Sequence, residues 1–468
     1  MTVSTTKKAM IIGLDCATPQ FIFGPKAFDL PNMRRLAERG CWGKLESSHP
    51  PITVPAWASM TASKDAGELG IYGFRNRKDY SYDGMFTANG NAIREKRLWD
   101  ILSRAGKKVA ILGVPQTYPV RPVNGWLISG FLAPDTNADY TYPKAFKKEF
   151  EEAIGEYIID VKDFRTDDKD GLLERVYALM ENRFAAARFL LETRPWDFFM
   201  MVEMGLDRLH HGFWRFCDPE HPLFEPGNPY EHVFRDYYQA VDRHIGALLE
   251  YADEDTLLMV VSDHGARAMH GGVRVNQWLL NEGLLSVTDD LSEEKRFEDC
   301  AVDWSRTRAW SSGGYYARVF FNVEGREPEG IIPQSEYEPF CEEMVARIES
   351  MTDPEGRPLG NKAYRPKDLY KTVRGVAPDL IVYFGDLGWR SVGAVGGTDS
   401  IYTFENDTGP DDANHDYHGI FIMADAGTNG GGLERTGLHL MDVAPTVLDR
   451  MGVPIPADMQ GRVIGAKE

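Results

Sequence analysis

The chain has 468 residues, 43% hydrophobic and 26% charged, a composition suited to a soluble globular protein of one large domain with insertions or of two domains. A net charge of −19 and a pI near 5.1 leave no basic face for phosphates, which argues against a nucleic-acid or anionic-membrane partner. Five widely spaced cysteines without a C-x-x-C argue against a disulfide framework or a zinc ribbon.

Met1 to Met10 holds two lysines, and Asp15 cuts the apolar run that follows. Neither a signal peptide nor a membrane span is expected, and the protein reads as cytoplasmic. Ala9 to Leu14 predicts a strand ending in Asp15, a strand-end carboxylate or the cap of a following helix. Pro31 to Arg39 predicts a short amphipathic helix stopped by Gly40. Thr53 lies in a proline-constrained turn, with a helix expected from about Pro55. A hydroxyl there faces free N–H groups and a positive dipole end, which suits an anion or a developing alkoxide; a plain N-cap is the other reading.

Further on, Asn91 to Ala105 reads as helix, Lys108 to Val114 and Trp126 to Gly130 as strands, 131–165 as irregular, and Gly171 to Thr193 as a long helix. Trp196 to Met204 is an apolar strand running into Asp207 and His211, four apart, so one helical face would carry both. Tyr230 to Ala252 is helical. Thr256 to Val261 is a strand ending at Asp263 and His264. After the short helix Val275 to Gly283, residues 286–371 change to acidic runs and Pro/Gly turns, with a hairpin-like Tyr316 to Asn322 and an amphipathic Ser335 to Met351. Asp379 to Phe384 is a buried strand, and 385–414 is a glycine-rich loop of a length that is more often functional than inert. His415 and His418 precede the strand Ile420 to Met423, and Leu438 to Met451 closes the chain as a helix.

This alternation predicts an α/β fold: a mostly parallel central sheet with helices on both faces. Residues 1–285 and 372–468 would form the catalytic core, and 286–371 an inserted cap subdomain. No G-x-G-x-x-G follows the first strand and no P-loop occurs.

Each strand-end group alone reads equally well as a hydrogen-bonded loop pair. Together, Asp15, Asp207, His211, Asp263, His264 and a late histidine supply ligands for two metal ions, with Thr53 adding a hydroxyl. In chain order, IIGLD ending at Asp15, TVPAWASMTA from Thr53, LDRLHHGFWR, SDHG, VNQWL at 275–279, FNVEGREPEG at 321–330 and NHDYHGIFIMAD resemble the alkaline phosphatase superfamily. Within it, the chain is similar to type I phosphodiesterases and nucleotide pyrophosphatases and their phosphohydrolase and phosphomutase relatives.

The resemblance implies two clustered divalent ions, most simply Zn, with Mn or Fe as alternatives. Asp207, His211 and His415 would hold one; Asp15, Asp263 and His264 would hold the other, which the Thr53 nucleophile shares. His418 is the alternative to His415. It also implies attack on phosphorus by a metal-activated Thr53, then hydrolysis of the phospho-threonine. Two departures bear on substrate. Ala56 stands where nucleotide pyrophosphatases carry an asparagine, so a backbone N–H, Trp57 Nε1 or a loop arginine must meet the phosphoryl oxygen. Thr53 is followed by Val54, unlike the Ser and Arg of alkaline phosphatases, and no sulfatase maturation motif occurs.

The expected function is a phosphohydrolase acting on phosphodiester or phosphoanhydride bonds of a small phosphorylated substrate, possible as a homo-oligomer. A phosphomonoesterase, phosphonate hydrolase or phosphomutase is the alternative. A silent metal-binding module would have lost the nucleophile or a ligand, and neither loss is seen. Arg208, Arg267 and His270 stand near the ligands as candidates for substrate contact, and Trp214 and Trp278 read as core.

Overall fold

A computed structural model describes residues 7–427 and 431–465; the first six residues of the N-terminal stretch discussed above lie outside it. A large mixed sheet runs in the order Leu433–Glu434, Cys41–Glu46, His418–Asp425, Thr256–Val261, Lys8–Leu14, Phe198–Glu203, Val109–Leu112, Gly125–Ile128, Thr141–Tyr142. The five strands from Thr256–Val261 to Gly125–Ile128 are parallel to one another. Phe198–Glu203, Thr256–Val261 and Val109–Leu112 are buried throughout, as strands covered on both faces must be.

The covering helices form two groups. Lys169–Thr193, Gly205–Cys217 and Val233–Leu249 pack together, with Pro31–Arg39 against the last. Thr53–Ala62, Leu98–Arg104 and Val443–Arg450 form the other group. Among the described residues no helix is long and apolar enough to cross a membrane.

Topology explains why distant sequence segments share one edge. Lys8–Leu14 lies between Phe198–Glu203 and Thr256–Val261, all parallel, so Asp15, the helix carrying Asp207 and the Asp263–His264 turn leave the sheet side by side. His418–Asp425 is antiparallel to Thr256–Val261, so it begins at that edge and brings His415 there. Cys41–Glu46 is antiparallel to His418–Asp425, so it ends there and delivers Thr53. This is the carboxyl edge, where open α/β sheets bind ligands.

A glycine permits one close approach. A Cβ on Gly13 would stand 2.5 Å from the indole of Trp57, which therefore fits only against a bare backbone.

A second hydrophobic core spans residues between Val273 and Phe384, around an antiparallel sheet of Ala309–Ser312, Ala317–Phe321, Leu380–Tyr383 and Lys362–Tyr364. The strand expected at 379–384 is present as Leu380–Tyr383, but it completes this small sheet rather than the large one. Two of the motifs quoted above serve this lobe. Asn276 exchanges two hydrogen bonds with the Ser311 backbone. Arg326 pairs with Asp379 at 2.8 Å. Trp214 belongs to the first core and Trp278 to the second.

His210 yields a pH prediction. It is fully buried against Trp214 and Phe234, with the Tyr238 hydroxyl 3.2 Å from Nε2. Burial pushes its pKa down to about 3. The folded protein holds it neutral, whereas an unfolded histidine takes up a proton below about pH 6.5. Its contribution is intact above that pH and is lost as pH falls toward 3, to a maximum of about 5 kcal/mol. His210→Phe should flatten the fall in unfolding free energy between pH 6 and pH 4, measured by denaturant titration. An unchanged slope would contradict the assignment.

Candidate metal centre

The edge residues assemble into two buried groups. Within each, one ligand atom per residue lies within 4.8 Å of the other two. In the first, His264 Nε2 is 3.2 Å from Asp263 Oδ2 and 3.8 Å from Asp15 Oδ1. In the second, Asp207 Oδ1 is 3.4 Å from His211 Nε2 and 3.5 Å from His415 Nε2, and the two Nε2 atoms are 3.1 Å apart. The His264 and His415 rings stack at 3.9 Å and join the groups.

Thr53 opens its helix but makes no capping bond; Ile52 is the N-cap residue. Its hydroxyl lies 3.4 Å from Asp15 Oδ1 and 3.3 Å from His264 Nε2. The N-cap reading is therefore set aside. His415 stands inside the cluster, whereas His418 is exposed on the strand facing Glu46.

The donor set fits metal ions on two counts. Asp207 Oδ1 and Asp263 Oδ2 are buried with no hydrogen-bond partner among the described residues. Each histidine also turns Nδ1 toward an acceptor: His211 to Asp411 Oδ1 at 2.8 Å, His415 to the Pro51 carbonyl at 3.1 Å, and His264 to the Gly265 carbonyl at 3.0 Å. A bound ion would displace any Nε2 proton, and the Nδ1–H tautomer that metal-binding histidines use would then leave each Nε2 lone pair free for the ion.

A model of the type I phosphodiesterase / nucleotide pyrophosphatase family matches residues 9–411. The chain belongs to this family. It is a phosphoric ester hydrolase of the phosphodiesterase and nucleotide pyrophosphatase type. No curated protein matches it by sequence. In fold it is similar to human ectonucleotide pyrophosphatase/phosphodiesterase 5, at 11% identity, TM-score 0.55 and 96% coverage of both chains. The murine counterpart, an inactive variant in complex with AMP, gives 11% identity, TM-score 0.56 and the same coverage. Phosphonoacetate hydrolase from Sinorhizobium meliloti 1021, in complex with phosphonoformate, gives 15%, 0.59 and 96% of both chains.

In this family member, electrostatics divide the two groups. Burial, then the neighbouring carboxylates, raises Asp15 well above the usual carboxylate range; burial and Asp207 do the same to Asp263. Burial also opposes the charge of Asp207, but His211 and Arg208 outweigh it and hold that carboxyl well below the range. Burial lowers His264 and His415. At His211, burial is outweighed by Asp411 and Asp207, and the imidazole is pushed up to about 9. A set of buried carboxylates with so little positive charge is one that divalent cations would neutralise.

Several supporting residues had no sequence signal. Asp411 orients His211; Asp160 and Asp207 share Arg208 at 2.7 Å each; Tyr315 stacks on His211 at 4.7 Å. Glu203 accepts the Gly205 N–H at 2.6 Å, setting the start of the helix that carries Asp207. Trp57 Nε1 donates to Asp15 Oδ2 at 2.7 Å, so it is already committed. Of the arginines and histidine suggested for substrate, Arg208 lines the adjoining cleft. Arg267 instead donates to the Asp386 carbonyl, and His270 borders a separate small cavity.

The cleft, about 660 Å³, opens from Ile52 and Arg208 toward the second lobe at Tyr315, Tyr316 and Arg318.

Proposed function

We propose that the chain is a two-metal phosphohydrolase that cleaves phosphodiester or phosphoanhydride bonds through a covalent intermediate on Thr53. One observation carries the reading: the Thr53 hydroxyl, free of any capping role, stands beside both Asp15 and His264 where the two groups meet.

Asp207, His211 and His415 would hold one ion and Asp15, Asp263 and His264 the other; mixed Asp and His ligation favours Zn, with Mn or Fe as alternatives. When bound, the ions lower the pKa of the Thr53 hydroxyl and offset charge on the phosphoryl oxygens. Thr53 Oγ1 attacks phosphorus as its proton passes to solvent, the bond to the leaving oxygen breaks and that oxygen takes up a proton from solvent, and water later cleaves the phosphoester at Thr53 and restores the hydroxyl.

For the oxyanion contact, Pro55 has no N–H and the Ala56 N–H is bound to the Ile52 carbonyl at 3.0 Å. The Thr53 and Val54 amides remain as donors at the helix N-terminus, in place of the asparagine side chain. Arg208 is a positioning residue, with its donors on Asp160 and Asp207. The second lobe, drawing residues from both sides of 286–371, acts as the cap over the cleft. The AMP bound by the murine structure supports a small phosphorylated substrate, nucleotides included.

Asp411→Asn should weaken metal binding by about 10- to 100-fold, because it removes the carboxylate that orients His211. Chelator competition measures this; unaltered affinity would place Asp411 outside the metal site's support.

The substrate class is tested by comparing bis-p-nitrophenyl phosphate with p-nitrophenyl phosphate, with and without chelator. Diester turnover should exceed monoester turnover and vanish with chelator. Dominant monoester turnover would overturn the substrate class, and chelator-resistant turnover would overturn the metal dependence.

A further inference from the structure

In a chain of net charge −19, the cleft beside the metal centre is basic: six arginines line it against four carboxylates. Most of these arginines have partners. Arg208 is held by Asp160 and Asp207, Arg165 by Asp411 and the Tyr315 hydroxyl, and Arg318 by the Arg75 carbonyl and Ser312.

Arg390 differs. It is 5% exposed, yet Nε and Nη1 are buried with no hydrogen-bond partner among the described residues. Among the described residues its one ion pair is long, Nη2 to Asp407 Oδ1 at 3.4 Å. A buried cation with idle donors is costly to maintain, and in a native fold such a group calls for a ligand or ordered water. The guanidinium carbon lies 5.8 Å from the ring centroid of Tyr315, and that ring stacks on His211. Arg390 is thus one aromatic ring away from the metal centre. It also borders a smaller cavity of about 240 Å³.

We infer that Arg390 forms a distal anion subsite, so the preferred substrates carry a second anionic group, a phosphate or a carboxylate, on the portion that leaves. The inference rests on the proposed two-metal reading, because the scissile phosphoryl group must sit at Thr53 for the second anion to reach this arginine. It deepens that reading by separating substrates that Thr53 alone would not distinguish. Arg390 on this account is a specificity residue and takes no part in bond breaking.

The test is calorimetry on metal-loaded Thr53→Ala protein, titrated with orthophosphate, pyrophosphate and tripolyphosphate. At least one polyphosphate should bind about tenfold or more tighter than orthophosphate, the effect of one charge-assisted contact. Adding Arg390→Gln should cut that preference about tenfold. Arg390→Lys, which keeps the charge but offers fewer donors, should cut it less, and it decides the matter if the glutamine variant does not fold. Equal losses for orthophosphate and polyphosphates, or no loss, would overturn the inference and leave Arg390 a structural residue. The underlying reading fails separately: diester turnover that survives Thr53→Ala would refute the nucleophile whatever Arg390 does.

Discussion

Thr53→Ala is expected to lower kcat/KM toward bis-p-nitrophenyl phosphate by at least about 10³-fold. The substitution removes the hydroxyl placed between Asp15 Oδ1 and His264 Nε2 and disturbs little else, because Thr53 makes no capping bond whose loss would unravel the helix. The melting temperature should therefore stay within a few degrees of the parent, a shift worth about 1 kcal/mol or less. Thr53→Ser keeps the oxygen and should retain measurable turnover. Acid-quenched mass spectrometry should find the phosphoryl group on Thr53 of the parent, on the replacing serine in Thr53→Ser, and at neither in Thr53→Ala. Near-parental turnover of Thr53→Ala would end the covalent mechanism.

The second large effect separates two histidines three residues apart. His415→Ala should cost at least about 10²-fold in turnover, whereas His418→Ala should stay within about twofold. His415 Nε2 lies 3.5 Å from Asp207 Oδ1 with its ring stacked on His264, while His418 is exposed and turned toward Glu46. Loss of His415 also leaves Asp207 Oδ1, already without a hydrogen-bond partner, with one imidazole fewer. Equal effects of the two substitutions would mean that the late ligand is misassigned.

Much of this arrangement was legible because it is local. The continuous apolar runs at 9–14, 198–203 and 256–261 are buried strands, and each is followed within about four residues by a residue of the cluster. Pro31–Arg39 begins with a proline and stops at Gly40, as its sequence signals require. Other elements depend on partners far along the chain. Cys41–Glu46 is half-buried and alternating, and it becomes a strand by pairing with His418–Asp425 on one side and Leu433–Glu434 and Leu438–His439 on the other. The helix expected from Asn91 starts at Leu98, where Asp100 accepts the Arg97 N–H. Within 131–165, Phe146–Ile154 forms a helix that buries Phe146 and Phe150, four apart on one face. The loop at 385–414 contains Trp389–Val392 and Tyr402–Thr403, strands formed by pairing with Gly271–Arg274.

The cluster itself was readable because carboxylates and imidazoles at strand ends carry a chemical signal. The residues that position it were not. Asp411 lies 200 positions from His211, and Tyr315 reaches the site from the second lobe, so neither has a local pattern to betray it.

The most direct test is the metal content of the dialysed, metal-loaded protein, determined by elemental mass spectrometry alongside protein concentration. The account predicts two ions per chain in the parent, and one in each of His264→Ala and His415→Ala. A parent value of one, or a value unchanged by either substitution, would contradict the two-ion assignment on which the proposed mechanism stands.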